Sequence, residues 1–212
     1  ERGLQVNPLA DSTDLRDLGY VKTFLEIEEP ALTPPTPLAN MLRLYAKDVG
    51  AATTLEAVNS AGKLYPITHP PTVRVTRTGV HTMTPADGAF AVLWTDETFD
   101  SDAMHSTVSN TSRLTAPIDG IYRIYASVDW NAAASGRRLT RIRKDGATII
   151  AADEDSGAAE AGVYPTQSCY TEYALLATNY VEVMIQVTVV ASVNANASSL
   201  SFFGMTWMRP IV

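Results

Sequence analysis

Two long segments of the chain alternate apolar and polar side chains, and this alternation constrains the fold more than any other feature of the sequence. The first is Gly120–Trp130 and the second is residues 180–193. Successive side chains of a β-strand point to opposite faces of its sheet, so a period of two predicts a strand with one buried face. The predicted core residues on these two strands are Tyr122, Ile124, Val128, Trp130, Val183 and Ile185.

The rest of residues 86–212 consists of shorter strand-like segments separated by turn residues. Lys144-Asp145-Gly146 predicts a tight hairpin, because Asp-Gly favours the positive backbone angles of a two-residue connection. Residues 201–208 predict an aromatic strand, with Phe203 and Trp207 in the core. No stretch of ten residues shows the period of a helix. The predicted fold class is therefore all-β, as a sandwich or a jelly roll.

The first 85 residues differ in composition from the rest of the chain. Residues 1–40 contain five of the twelve prolines, and proline lacks the backbone N–H that helices and central strands need. We expect an extended arm there, with too few apolar residues for a core of its own. Residues 41–85 predict a small β-hairpin region with a turn at residues 59–62. The third domain, residues 86–212, would begin near Thr84-Pro85.

Three motifs of the third domain occur in an order that is typical of one family. They are residues 99–102, residues 112–124 with their Pro-x-x-Gly-x-Tyr segment, and the aromatic-glycine-apolar residues 201–208. This region resembles the globular heads of complement proteins and tumour-necrosis-factor-like jelly rolls. Many members of that family have Gly-Asp before the penultimate long strand, where this chain has Thr178-Asn179-Tyr180. The resemblance implies a ten-stranded antiparallel jelly-roll sandwich that is usually a homotrimer.

A narrower resemblance is to variants of this head in structural proteins of tailed bacteriophages. Those variants have a Trp at the end of the Gly-x-Tyr strand, followed by Gly-Arg-Arg and a Lys-Asx-Gly hairpin. This chain has, in that order, Trp130, Gly136-Arg137-Arg138 and Lys144-Asp145-Gly146. Residues 42–48 also resemble a segment that is common in phage tail and fibre proteins. The resemblance implies a protein that acts by binding rather than by catalysis.

Apolar residues also occur on the supposedly polar face of the two long strands. Ile121 and Tyr125 lie there on the first strand, and Met184 and Val190 on the second. Apolar residues on the outward face of a strand indicate that another protein surface covers that face. These four residues are the predicted subunit interface of a homo-oligomer, in which every copy presents the same patch. The alternative is that the second sheet or the N-terminal arm covers them.

Cationic side chains are concentrated in residues 137–144 of a chain whose formal net charge is −7. Arg137, Arg141 and Arg143 would share one face of an extended strand. We expect them to pair with Asp153 and Asp155, within one subunit or across a subunit boundary. The alternative partner is an anionic surface polysaccharide.

Composition disfavours several classes of function. An acidic chain has little positive surface for nucleic acid, and no apolar stretch reaches the roughly 20 residues that insert across a membrane. The three histidines are isolated from one another, so they form no zinc motif. The acidic clusters at residues 96–102 and 153–155 do not match a calcium loop. We predict no cofactor, metal or catalytic residue, and Cys169 is expected to be a buried, inert thiol.

These observations together predict a non-enzymatic surface protein of a phage virion, an extracellular particle. Residues 1–40 would contact other virion proteins. The homotrimeric head would present loops, at residues 131–136, 153–162 and 193–198, to a host-surface glycan or protein, as a tail fibre, head fibre or spike does. One alternative is a capsid decoration protein that stabilises the shell. Another is a secreted carbohydrate- or protein-binding module of the same fold.

Overall fold

The computed structural model describes residues 36–49, 52–77, 79–130, 136–156, 165–188, 191–194 and 201–211. Most of the predicted arm, the interface candidate Val190 and the greater part of the three predicted loops lie outside these residues. The regular structure within them is fifteen β-strands and one 3-10 turn at Pro85–Asp87. None of these residues belongs to a helix that is long and apolar enough to cross a membrane. The predicted all-β class is confirmed.

The chain divides into two compact units, Glu1–Leu64 and Tyr65–Val212. The sequence predicts a head that begins near Thr84-Pro85, whereas the second compact unit of the structure begins at Tyr65. The reason is the strand Thr72–Thr76, which pairs with two strands of the second unit. Its Val73 and Val75 side chains are completely buried in the core of that unit. The head therefore includes residues of the predicted hairpin region, residues 41–85.

The described part of the first unit is a β-hairpin of β1 (Leu42–Val49) and β2 (Ala52–Asn59), to which β3 (Leu64–Pro66) adds a third strand at the boundary. The predicted turn after β2 is confirmed, because Asn59 Oδ1 accepts hydrogen bonds of 2.9 Å from the N–H groups of Ala61 and Lys63. On β2, the Glu56 carboxylate accepts hydrogen bonds from Tyr45 at 2.6 Å and Lys47 at 2.8 Å.

The second unit is a sandwich of two antiparallel sheets. Its strands in chain order are β4 (Thr72–Thr76), β5 (His81–Met83), β6 (Phe90–Ala91), β7 (Asp96–Asp100), β8 (Arg113–Thr115), β9 (Gly120–Trp130), β10 (Arg138–Lys144), β11 (Thr148–Asp155), β12 (Thr166–Leu175), β13 (Tyr180–Val187), β14 (Ala191–Asn194) and β15 (Phe202–Arg209). The predicted hairpin at Asp145-Gly146 is confirmed as the connection between β10 and β11, and both residues have positive φ.

The order of the strands identifies the sandwich as a jelly roll. One sheet contains β4-β15-β9-β12, with β7 beside β4 and with β5 and β14 extending the sheet. The other contains β8-β13-β10-β11, with β6 also paired to β13. This distribution of consecutive strands between two sheets is the double-sheet jelly-roll arrangement. The predicted fold is confirmed, although the sheets have seven and five described strands rather than ten in all.

The core lies between the two sheets. Each predicted core residue exposes 7% of its surface or less: Tyr122, Ile124, Val128, Trp130, Val183, Ile185, Phe203 and Trp207. Burial of one large apolar side chain stabilises the fold by about 1.5–3 kcal/mol. One polar group also joins the sheets, because Gln167 Oε1 accepts hydrogen bonds of 2.8 Å from Trp130 Nε1 and Thr140 Oγ1.

Residues 180–193 form two strands in different sheets, rather than the single strand that the alternation predicts. β13 ends at Val187 in the five-stranded sheet. β14 belongs to the seven-stranded sheet, where Val193 is paired in register with Trp130. The prediction is wrong here because a period of two marks extended structure but does not indicate which sheet a strand joins.

Candidate interaction surface

The outward face of the seven-stranded sheet carries aromatic residues at neighbouring register positions. Because Ile124 on β9 points into the core, the next residue, Tyr125, faces outward. Tyr125 is opposite Tyr170 on β12 and Gly204 on β15, and Gly204 is opposite Arg74 on β4. We define the aromatic face as Arg74, Tyr125, Tyr170, Phe202 and Gly204.

The members of the aromatic face pack against one another. A Cβ atom on Gly204 would lie 2.5 Å from Tyr125 Cζ, so the tyrosine ring occupies the space that a side chain would need. The ring centroids of Tyr125 and Phe202 are 6.1 Å apart and their planes meet at 62°, a favourable edge-to-face arrangement. The guanidinium carbon of Arg74 is 4.5 Å from the Phe202 ring centroid, which permits a cation–π interaction. These contacts pack the Arg74, Tyr125 and Phe202 side chains against one another, whereas Tyr170 is 81% exposed.

The polar groups of the aromatic face are partly withdrawn from water. Burial raises the pKa of the Tyr125 hydroxyl, and this effect outweighs the opposing charge of Arg74. Arg74 Nε is buried and has no hydrogen-bond partner among the described residues. A buried donor without an acceptor costs about 1–3 kcal/mol.

Large apolar side chains are exposed on strands at both edges of the same sheet. Tyr170 exposes 81% of its surface on β12, and Phe99, opposite Arg74 on β7, exposes 44%. An exposed ion pair of 3.0 Å, Arg123 with Glu172, lies beside them. Aromatic residues and arginine grouped on one exposed face are typical of protein interaction surfaces. The arrangement therefore suits association with another polypeptide surface.

The ionisable side chains of the core have structural contacts. Cys169 donates to the Thr140 carbonyl at 3.3 Å, and burial raises the pKa of its thiol to about 12, so the thiol is neutral at pH 7. The His105 ring is enclosed, with Nδ1 2.8 Å from Glu97 Oε1 and Nε2 3.2 Å from the Thr111 carbonyl. Within the described part of the chain, no group of three or more His, Cys, Asp and Glu side chains is placed to hold a metal ion.

The structure separates the residues predicted as one subunit interface. Ile121 and Tyr125 lie on the outward face of β9 in the seven-stranded sheet, whereas Met184 lies on β13 in the five-stranded sheet. The outward faces of two packed sheets point in opposite directions, so these residues do not form one surface. Met184 is also only 6% exposed, and Val190 is outside the described residues.

Two of the three predicted surface arginines have partners within the chain. Arg137 forms an ion pair with Glu154, in which Nη2 is 2.6 Å from Oε2. Arg143 Nη2 donates to Glu182 Oε2 at 2.9 Å. Arg141 lies between them on β10. These arginines are therefore paired within the chain, but their partners are glutamates and not the predicted Asp153 and Asp155.

The predicted acceptors Asp153 and Asp155 lie on the other side of β11. Asp153 Oδ2 accepts a hydrogen bond of 3.1 Å from the Ser168 N–H, and Asp155 is 3.9 Å from Arg138 Nη1. Side chains alternate along a strand, and Glu154 between the two aspartates shares the face of Arg137. The sequence predicts a loop at residues 153–155, whereas the structure shows that they are the end of β11. Their side chains therefore alternate between the two faces of the sheet, and only Glu154 faces Arg137.

Sequence reasoning does not identify Arg74, Phe202 or Gly204 as surface residues. The Phe202-Phe203 pair contains a usable signal, because one of two adjacent aromatic residues on a strand must face outward. Gly204 contains another, because a glycine inside a strand often marks close approach of another group. Arg74 has no comparable signal, since its strand lies before the expected start of the head.

No protein-family model matches the chain, and no curated protein matches its sequence. Solved structures that are similar to it include murine APRIL at pH 5.0, with a TM-score of 0.49 and 14% identity, over 66% of this chain and 100% of that chain. Eiger TNF from S. frugiperda is similar with a TM-score of 0.49 and 14% identity, over 68% of this chain and 96% of that chain. The jelly-roll assignment rests on the strand order and register described above.

Proposed function

We propose that this chain is a non-enzymatic binding protein of a phage virion surface, and that it forms a homotrimer through the aromatic face. The observation that carries the proposal is the combination of exposed Tyr170 with the packed rings of Tyr125 and Phe202 on one sheet. Tyr170 exposes 81% of its surface and the Tyr125 and Phe202 side chains are partly exposed, so the face offers apolar area to a partner.

Association of identical copies accounts for several properties of the face. Aromatic side chains and arginine are enriched in interfaces and contribute most of the binding free energy. Three copies arranged around one axis give a closed ring, in which every copy uses the same surfaces and none remains open for further growth.

The virion role is supported by the order of the Trp130, Gly-Arg-Arg and Lys-Asp-Gly motifs, which resembles phage structural proteins. In this role residues 1–40 contact other virion proteins, and the head loops contact a glycan or protein of the host surface, as in a fibre or spike. Three equivalent weak contacts on one trimer raise the overall affinity through effective concentration.

Capsid decoration is the second candidate function. The first unit exposes several large apolar side chains, with Leu38 72%, Leu42 59% and Met41 54% exposed. Such residues close to the predicted arm suit a chain that lies along a larger assembly. In this case the head would stabilise the shell rather than bind a host.

The trimer is tested by light scattering after size exclusion of the full chain. We expect a mass of three times 22.9 kDa for the unmodified protein and a lower mass for Tyr170→Glu. Leu176→Glu is the matched control, because Leu176 is 56% exposed but lies in the turn after β12. A monomeric unmodified chain, or an equal effect of both substitutions, would contradict assembly through the aromatic face.

The two virion roles are separated by binding assays with the trimer. Binding of the isolated chain to host cells supports attachment. Binding only to assembled particles, with loss of that binding on removal of residues 1–40, supports decoration. Binding to a carbohydrate or protein but to neither cells nor particles would favour a secreted module of the same fold.

A further inference from the structure

A row of arginines lies on the outward face of the five-stranded sheet, on the opposite side of the sandwich from the aromatic face. Arg141 and Arg143 flank the buried Ile142 on β10, so both face outward. In register, Arg143 is opposite Glu182 on β13, and Glu182 is opposite Arg113 on β8. We define the arginine row as Arg113, Arg137, Arg141 and Arg143.

The arginine row has more positive charge than its carboxylate partners neutralise. Its four guanidinium groups are accompanied by two carboxylates, Glu154 and Glu182, which leaves a local charge of 4 − 2 = +2. The whole chain has a net charge of −7. An excess of two positive charges on one face is therefore a local feature and does not follow from the overall composition.

Arg141 is the member of the row that is available to a ligand. The pKa of the Glu154 carboxyl is lowered mainly by its hydrogen bond from Arg137 and also by the charge of Arg141. Arg137 forms the ion pair with that carboxyl, and the Arg141 side chain is only partly buried. Its register neighbours across the sheet are Met184 and Ala152, neither of which has a charged side chain. Its guanidinium group therefore retains the planar, multiple donors that bind a carboxylate in two places.

Neighbouring contacts hold the rest of the row in position. Glu182 Oε1 accepts hydrogen bonds from Ser112 Oγ at 2.8 Å and Arg113 Nε at 3.3 Å, and its Oε2 accepts one from Arg143 at 2.9 Å. The Arg113 guanidinium also lies 4.0 Å from the centroid of the Tyr180 ring. Side chains that are already ordered lose less conformational entropy when a ligand binds.

We propose that the arginine row binds an acidic polysaccharide, with a carboxylate of the polysaccharide accepting hydrogen bonds from Arg141. This inference supplies the ligand class for host attachment and rests on that proposed function. Alternate residues of a strand are about 7 Å apart, so Arg141 and Arg143 present separate charges along a flat sheet. A polymer with one carboxylate on each sugar also has few charges that lie far apart, so its charge spacing suits this row.

The same charge count argues against nucleic acid as the ligand. One nucleic-acid strand has a phosphate about every 3.4 Å, and its binding depends on the neutralisation of many phosphates. Two excess charges on a chain of net charge −7 provide little of that neutralisation, and the rest of the surface repels a dense polyanion. A sparsely charged polysaccharide experiences less of this repulsion.

The test measures the binding of the full chain to polygalacturonate by isothermal titration calorimetry, with neutral dextran as the uncharged polymer. We expect Arg141→Gln to lower the association constant about tenfold, through loss of one charge-assisted contact. Lys47→Gln is the control, because it removes one positive charge from an ion pair of the β1–β2 hairpin that belongs to neither the aromatic face nor the arginine row. It is expected to change the constant by less than about twofold.

Three results would overturn the inference: no binding of polygalacturonate, an equal loss of affinity in both variants, or tighter binding of a thymidine oligonucleotide. Light scattering of Arg141→Gln is expected to give the mass of the unmodified protein, because Arg141 lies on the opposite sheet from the aromatic face. A trimer that does not bind polygalacturonate contradicts this inference alone. A monomer that binds it contradicts only the trimer of the proposed function.

Discussion

At Gly204, the addition of one methyl group by substitution with alanine is expected to displace a surface side chain. Its missing Cβ would lie 2.5 Å from Tyr125 Cζ and Oη, so Gly204→Ala forces the tyrosine ring outward. Displacement of a packed side chain costs about 1–3 kcal/mol. We expect the free energy of unfolding to fall by that amount, measured by urea denaturation, and the trimer to weaken in light scattering.

Tyr125→Ala provides the matched background for this substitution. If the ring is the obstacle, Gly204→Ala is neutral or stabilising in the absence of the ring, because alanine is favoured over glycine inside a strand. The double-mutant cycle then has a large coupling term. Equal costs of Gly204→Ala in both backgrounds would show that the contact is not the cause.

His105 is a second residue whose contacts predict a measurable effect. Its Nε2 faces the Thr111 carbonyl at 3.2 Å and its Nδ1 faces the Glu97 carboxylate at 2.8 Å. Because the side chain is fully buried, His105→Ala removes two hydrogen bonds and leaves a cavity. We expect a loss of about 1–3 kcal/mol in the free energy of unfolding. His69→Ala, at a partly exposed position, should change it by less than about 0.5 kcal/mol.

For single residues, the sequence predicts which side chains are buried better than it predicts which groups they contact. Alternation on β9 identifies Tyr122, Ile124 and Trp130 as inward residues, and all three are buried. The identity of a contact depends on residues far apart in the chain. Glu154 rather than Asp153 pairs with Arg137 because of strand register, which a single sequence does not reveal.

Among the strands, β13 carries Glu182, whose carboxylate forms ion pairs with arginines on both neighbouring strands, β8 and β10. Burial alone would raise the pKa of Glu182, but hydrogen bonds from Arg143, Ser112 and Arg113 outweigh burial and lower it. A carboxyl with a lowered folded pKa stabilises the protein above its unfolded pKa of about 4.3. This stabilisation is lost as the pH falls through the folded value.

Glu182→Gln is therefore expected to lower the free energy of unfolding at pH 7 by about 1–3 kcal/mol. The variant should also lose less stability than the unmodified protein when urea denaturation is repeated at progressively lower pH. Glu172→Gln, in an exposed pair with Arg123, should cost less than about 1 kcal/mol. An acid profile that Glu182→Gln leaves unchanged would show that another group controls the decline.

The elements with the strongest local signals are the ones that the sequence predicts well. β9 has eleven residues of clear alternation, and the β10–β11 turn has an Asp-Gly pair with positive φ at both residues. β4 has only five residues, and its partners β15 and β7 are distant in the chain. Its place in the sheet depends on those partners, so local pattern does not identify it.

For the whole molecule, the position of β4 predicts where the head can be separated from the preceding chain. A chain of residues 65–212 retains β4, so we expect a cooperative thermal unfolding transition and a folded near-ultraviolet circular dichroism spectrum. A chain of residues 86–212 lacks Val73 and Val75, which are completely buried, and leaves an edge of β15 unpaired. It should lack that transition. Identical transitions for the two chains would contradict a structural role of β4.

The pairing of β4 with β15 brings the first and last strands of the head side by side. Thr72, near the start of β4, lies opposite Thr206 near the end of β15, with their hydroxyl oxygens 2.8 Å apart. The polypeptide therefore enters and leaves the sandwich at neighbouring points. A domain with adjacent entry and exit points can be inserted into a surface loop of a carrier protein without separating the two sides of that loop. The head therefore meets the geometric requirement for such an insertion.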